Sequence, residues 1–252
     1  MTIQFSRLYR YGSELNSHDL LKIIAIGLMV VDHVGEYVFH DNPWCRLIGR
    51  GAAPLFFFLI GYVNKLHFST SLVVYASILS LVESGLTLQL WINILFMFML
   101  IQYTIWHYPP TQFKTDQRAY YFGWCVALNI FIYQYIEYGL LGFLFVYSAR
   151  MLATKDHQGE FWLMLTLVAY FVWESFYFKF FSNTIYLISF GVLTLMLFFI
   201  MRFYRLRTFT LPPPLKLPGL FISRYSLEIY FYHLIFLQGV FLFVRYIYPK
   251  FH

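Results

Sequence analysis

Nine apolar stretches follow one another along this chain, roughly at 20–39, 50–64, 71–88, 91–107, 119–136, 138–152, 161–179, 184–201 and 221–246, with no soluble segment between them. About twenty apolar residues cross a bilayer core. The pattern therefore predicts an all-α, polytopic transmembrane bundle of about nine spans, one integral membrane domain over 1–252. Charge agrees: only 12% of the 252 residues are charged, against about 25% in a soluble domain. A chain so poor in charge cannot cover a soluble surface. This excludes a disordered chain, a nucleic-acid-binding domain and a secreted disulfide scaffold. The aromatic share of 23% suits helices that end at membrane interfaces.

Two regions break the regularity. The stretches 119–136 and 138–152 have almost no loop between them, so they form either a tight helical hairpin turning at Glu137-Tyr138-Gly139 or one broken helix. The linker 202–220 holds Pro212-Pro213-Pro214 and Pro218 and is expected not to continue a helix. The first stretch is interrupted by Asp32-His33 and lacks a small-residue cleavage site. It reads as a span rather than a signal peptide.

Lysine and arginine set the orientation. Arg7, Arg10, Lys65, Lys114, Arg118, Arg150, Lys155, Arg202, Arg205, Arg207, Lys216 and Arg224 fall on the N-terminal side, which is 12. Arg46, Arg50, Lys179, Arg245 and Lys250 fall on the other, which is 5, and Lys22 lies within the first span. The bias places the N-terminus in the cytoplasm and, after nine spans, the C-terminus outside. Cys45 and Cys125 then lie at opposite faces and are not expected to pair. No cysteine or histidine has metal-ligand spacing, and no metal is predicted.

Ionisable groups at membrane depth are costly and mark functional sites by default. The first span carries five: Asp19, Lys22, Asp32, His33 and Glu36. At about 100° per residue they occupy less than half the circumference, a single polar stripe that should face the bundle interior. Snorkelling at the span ends is the plain alternative for Lys22 and Glu36. Neighbours in sequence do not face each other on a helix, so Asp32 is expected to bond to another helix rather than to His33. In the last span Ser226, Tyr230 and His233 share one face, and Glu228 points roughly the opposite way. Counted along their helices, His33 lies about 20 Å from Leu20 and His233 about 18 Å from Phe221. The two spans run in the same direction, so the imidazoles should share one pocket. Arg46 to Arg50 reads as an outer loop entering a helix near Pro54. Arg50 is there either an interfacial cation or a planar clamp for a carboxylate or phosphate. Asn93, Glu83 and Glu137 are further polar residues near span ends. The run Arg202, Arg205 and Arg207 would attract the phosphates of a cytosolic donor, or is simply the cytoplasmic charge signal.

The order of these elements resembles the TraX family. The resemblance lies in Asp19-x-x-Lys22-x-x-Ala25 leading to Met29-x-x-Asp32-His33-x-Gly35, then Arg46-x-x-Gly49-Arg50 before Pro54-Leu55-Phe56-x-Phe58-Leu59. Asn93-Ile94-Leu95-Phe96, the Glu137-Tyr138-Gly139 turn and Tyr230-x-x-His233-Leu234 support it. It covers about 19–240. The last motif, Tyr230-Phe231-Tyr232-His233, is more aromatic than the family pattern, and the chain is about one span short of larger relatives.

The resemblance implies a bacterial inner-membrane acyltransferase, related to the membrane-bound acyltransferase 3 superfamily. It would carry an acetyl group from acetyl-CoA to an envelope acceptor, most of all the N-terminus of a pilin, in pilus or fimbrial biogenesis and conjugation. The catalytic role falls on His33, with Asp32 and His233 beside it. Lys22, Arg50, Glu36, Tyr230 and Asp19 would bind donor or acceptor. Its surroundings would be membrane lipid, and nucleic acid is not an expected partner. Two other functions compete. A non-enzymatic assembly factor would have no need of an aligned polar stripe. A proton-coupled transporter should show repeats or paired broken helices, and none is visible.

Overall fold

The computed structural model describes residues 14–63, 69–210 and 212–247. Its helices are α1 (Ser17–Tyr37), α2 (Pro43–Gly49), α3 (Ala52–Val63), α4 (Thr70–Thr87), α5 (Ile94–His107), α6 (Thr115–Ile132), α7 (Leu141–Ala153), α8 (Gly159–Tyr177), α9 (Thr184–Arg202), α10 (Pro213–Arg224) and α11 (Ser226–Ile247). Two strands of two residues, β1 (Leu15–Asn16) and β2 (Thr208–Phe209), pair antiparallel. The fold is otherwise helical. Arg7, Arg10, Lys65 and Lys250 of the charge count, and residue 64 of the second stretch, lie outside the described residues.

By length and composition, three segments among the described residues can cross a membrane: Pro43–Val63, Thr184–Arg202 and Ser226–Val244. Thr70–Leu86 and Leu141–Ala153 are apolar but shorter. These helices mark a membrane protein; the count of nine goes beyond them. α1 has the length, at 21 residues, but carries Asp19, Lys22, Asp32 and Glu36.

The chain divides into two compact units, one from 1–52 with 203–252, the other from 53–202. In the first, α1 begins at a reciprocal cap. The Asn16 side chain accepts from the Asp19 amide at 3.0 Å, and the Asp19 carboxylate accepts from the Asn16 amide at 3.2 Å. The 46–50 segment, expected as an outer loop, is helical. The reason is local: Asn42 accepts from the amides of Trp44 (3.0 Å) and Cys45 (3.3 Å), and Pro43 opens the first turn, where its missing N–H costs nothing. The proline-rich linker is also a correction. Residues 213–224 form α10 with Pro218 inside it. Pro213 and Pro214 sit in the first turn, so only Pro218 gives up an internal hydrogen bond. The chain instead breaks at Tyr225 (φ −104°, ψ 25°), and the stretch read as 221–246 is split between α10 and α11.

In the second unit α7 is buried around nearly all of its circumference. Gly142 lets Phe57 of α3 lie against it, and Gly61 of α3 meets the backbone of Val146. The 119–152 ambiguity resolves as a hairpin. Tyr121 stacks on Tyr147 at 5.1 Å, and Asn129 accepts from the Leu140 amide at 2.7 Å, so α6 and α7 run antiparallel. The turn places Tyr138 (φ 62°) and Gly139 (φ 49°) in the left-handed region, which glycine enters without cost. Asn93, Glu83 and Glu137 are braces around it. Asn93 caps α5 and donates to Glu83 at 3.2 Å, while Glu137 accepts from the Ile94 amide at 3.2 Å. Cys45 and Cys125 are both free thiols.

Candidate active site

The first unit gathers most of the polar residues singled out in the sequence, but at two separate levels of α1. At its start, Ser223 of α10 donates to Asp19 at 2.5 Å, and Arg224 stands 3.8 Å from the same carboxylate oxygen. Lys22 lies half-buried in the field of Asp19 and Arg224. This cluster ties the cap of α1 to the end of α10. Ser17 extends the tie, donating to the Arg205 carbonyl at 2.7 Å. Asp19 is 14 residues from His33, about 21 Å along the helix. The structure therefore does not bring Asp19 or Lys22 to the imidazoles.

The second level lies near the end of α1, where α2 folds back against it. Gly49 allows this: a Cβ there would collide with Asp32, and one at Gly35 would collide with the Cβ of Cys45. Small residues at such crossings let helix backbones approach closely. The approach brings two arginines, one turn apart, onto two carboxylates, also one turn apart. Arg46 lies 3.2 Å from Asp32 and 2.6 Å from Glu36, and Arg50 pairs with the other oxygen of Asp32. Asp32 and Arg50 are only 4% and 6% exposed. Two cations and two anions balance, as charges held away from water must. Asp32 thus bonds across helices and not to His33. Arg46, read in the sequence as an outer-loop cation and as the start of the Arg46-x-x-Gly49-Arg50 motif, is the bridge between both acids. The Asn42-Pro43 helix start and the Arg46/Arg50 spacing against Asp32/Glu36 were the signal for it.

One residue beyond Asp32, His33 turns away from the arginines toward α11. Its Nδ1 lies 2.7 Å from Nε2 of His233. The two rings meet edge to edge in nearly parallel planes, 5.0 Å between centroids at 20°. Nδ1 of His233 lies 2.7 Å from the Ile229 carbonyl oxygen. Tyr230 meets both rings edge-on, at 6.1 Å from His33 and 5.9 Å from His233. Tyr37 flanks His33 at 6.5 Å and accepts from Gln238 of α11 at 3.3 Å. α1 and α11 run parallel, since His33 meets His233 and, about one turn further along both helices, Tyr37 meets Gln238. His233 lies less deep in its helix than its distance from Phe221 implies. α11 starts at Ser226, so His233 is about 10 Å into its helix and not 18 Å. The imidazoles meet because α10 and the break at Tyr225 occupy the lower half of α1.

An imidazole pair of this kind can serve as a general base or carry an acyl group. Arg50 and Glu36, expected to bind substrate, are engaged in the ion-pair cluster. Arg202, read in the basic run, belongs to the second unit, where it pairs with Glu160 at 2.9 Å.

The family model described as TraX protein matches residues 17–240. An uncharacterized protein of Rickettsia prowazekii (strain Madrid E) is 31% identical over 132 residues, 52% of this chain and 52% of that protein. Protein TraX of Escherichia coli (strain K12) is 41% identical over 49 residues, 19% of this chain and 20% of that protein. The chain thus aligns with about half the length of the first relative and about a fifth of the second. No solved structure matches it.

Proposed function

The chain belongs to the TraX family, and we propose that it is a multi-pass acyltransferase of the bacterial inner membrane. It moves an acetyl group from acetyl-CoA to an envelope acceptor, the N-terminus of a pilin subunit, in pilus or fimbrial assembly. Nine spans with the N-terminus in the cytoplasm put the basic loops on the donor side, as the 12 to 5 distribution of Lys and Arg favours.

The observation that carries this reading is the imidazole pair His33–His233, held at 2.7 Å beside a charge-balanced arginine–carboxylate cluster. A transporter relay needs protonable groups in series; acyl transfer needs one base or nucleophile with its neighbours fixed. Here the carboxylates are locked in ion pairs and the histidines are not. The amine nitrogen forms a bond to the acetyl carbon while the thioester C–S bond breaks. The proton lost by the amine passes to His33 and on to the departing CoA thiolate. In the two-step form, His33 first carries the acetyl group itself. Asp32 acts on this chemistry through position, by anchoring the end of α1 to α2. Tyr230 is the hydroxyl-bearing side chain packed against both rings.

Purified protein in nanodiscs, incubated with acetyl-labelled acetyl-CoA and pilin carrying a free N-terminus, should label the pilin. Pilin that stays unlabelled while still co-purifying with the protein would make it a non-enzymatic assembly factor instead.

A further inference from the structure

The hydrogen bonds through the two imidazoles run in one direction. The Ile229 carbonyl can only accept, so Nδ1 of His233, 2.7 Å away, carries a hydrogen. In a neutral imidazole the other nitrogen is then a bare acceptor. That nitrogen, Nε2 of His233, faces Nδ1 of His33 at 2.7 Å. Nδ1 of His33 must therefore donate, which leaves Nε2 of His33 as the nitrogen with an open lone pair. A backbone carbonyl, fixed by its helix, thus sets the tautomer of a side chain two bonds up the chain of donors.

We propose that His233 is a positioning residue that holds His33 in its Nδ1–H form, and that Nε2 of His33 is the atom that takes the proton or the acetyl group. The consequence for acyl transfer rests on the function proposed above; the tautomer itself does not. When Nε2 of His33 takes a proton from the attacking amine, the hydrogen on Nδ1 is free to shift toward Nε2 of His233. The hydrogen on Nδ1 of His233 stays on that nitrogen, donated to the Ile229 carbonyl, throughout. One proton enters and one positive charge is shared by two rings, so no further group is needed to balance the step. Tyr230, in edge contact with both rings, keeps them in register. An acceptor of the same reach without a titrating ring, such as the amide oxygen of glutamine, should set the same tautomer.

The test is 15N NMR of the full chain labelled at its imidazoles, in nanodiscs at a pH where both rings are neutral. His33→Gln and His233→Gln spectra supply the assignments. In the wild type, His33 should show a protonated Nδ1 and a bare Nε2. In His233→Ala it should move to the Nε2–H form that free histidine favours, and in His233→Gln it should keep the Nδ1–H form. In the acetyl-transfer assay His233→Ala should lose about 10²-fold in kcat, the lower end of general-base effects, with KM for acetyl-CoA little changed. His233→Gln should recover most of that loss. A wild-type His33 in the Nε2–H form would overturn the proposal, as would a His233→Ala protein that keeps Nδ1–H. If the wild type labels no acceptor at all, acyl transfer is discarded, while the spectra still decide the tautomer.

Discussion

Asp32 shows why a buried charge cannot be judged alone. Its carboxylate takes Arg46 on one oxygen and Arg50 on the other. Removing the charge leaves two buried guanidinium groups with too little to balance them. Breaking a buried pair from one side typically costs about 3–5 kcal/mol. Asp32→Asn should therefore lower the thermal midpoint in detergent by many degrees, and Asp32→Asn with Arg50→Gln should win part of it back. Equal midpoints for the single and double variants would show that the pair does not hold the end of α1. Much of this cluster was legible from residue type: Asp32, His33, Glu36 and Arg50 all stand out against their apolar surroundings. Arg46 did not, because a cation near a span end is ordinary, and only the helical state of 43–49 puts it one turn from Arg50 and opposite both acids.

At the scale of elements, the crossing of α1 and α2 depends on two glycines. Gly49→Val would push its side chain into Asp32, and Gly35→Val into Cys45. Overpacking of this kind costs about 1–3 kcal/mol. Each should lower stability, and both should weaken the Arg50–Asp32 pair. Gly27, in the same helix as Gly35, has nothing within 4 Å of a Cβ position, so Gly27→Ala should leave stability unchanged or slightly raised. The helices themselves were largely readable from apolar run length, and the hairpin at 133–140 was one of two expected forms. The α10 segment was not readable, because three of its four prolines lie before or within the first turn, where they favour a helix start rather than a stop. The connection between α7 and α8 offers a pH test outside the membrane segments. Burial alone would raise the Asp156 carboxyl, but the Gln158 amide and the Arg118 guanidinium, each 2.9 Å away, outweigh it and hold it below its ordinary value. A lowered folded value means stabilisation that is full above the ordinary carboxylate range and is lost as pH falls through the lowered one. Amide exchange across 154–158 should quicken over that acidic interval, and Asp156→Asn should exchange fast with no such step.

On the proposed nine-span topology the Lys and Arg residues divide 12 to 5 between the two sides, and that asymmetry gives the topology its test. Reporter fusions should place the N-terminus in the cytoplasm and the C-terminus outside; a cytoplasmic C-terminus would mean an even number of crossings. Parallel packing of α1 and α11 brings together residues 200 apart in sequence, and no periodicity within either helix reveals that the two helices touch. The shared pocket was expected from equal direction and matched depth; the direction holds, but the depth count ran through α10, and the imidazoles meet because of the break at Tyr225. The most direct test of the account is acetyl transfer by His33→Gln, compared with the wild type at equal folded protein. Glutamine keeps polarity and bulk but cannot take a proton near neutral pH, so label reaching the acceptor should fall by about 10²–10⁴, while detergent-resistant folding and membrane insertion are retained. A His33→Gln protein that labels the acceptor at the wild-type rate would contradict the assignment of the chemistry to this imidazole.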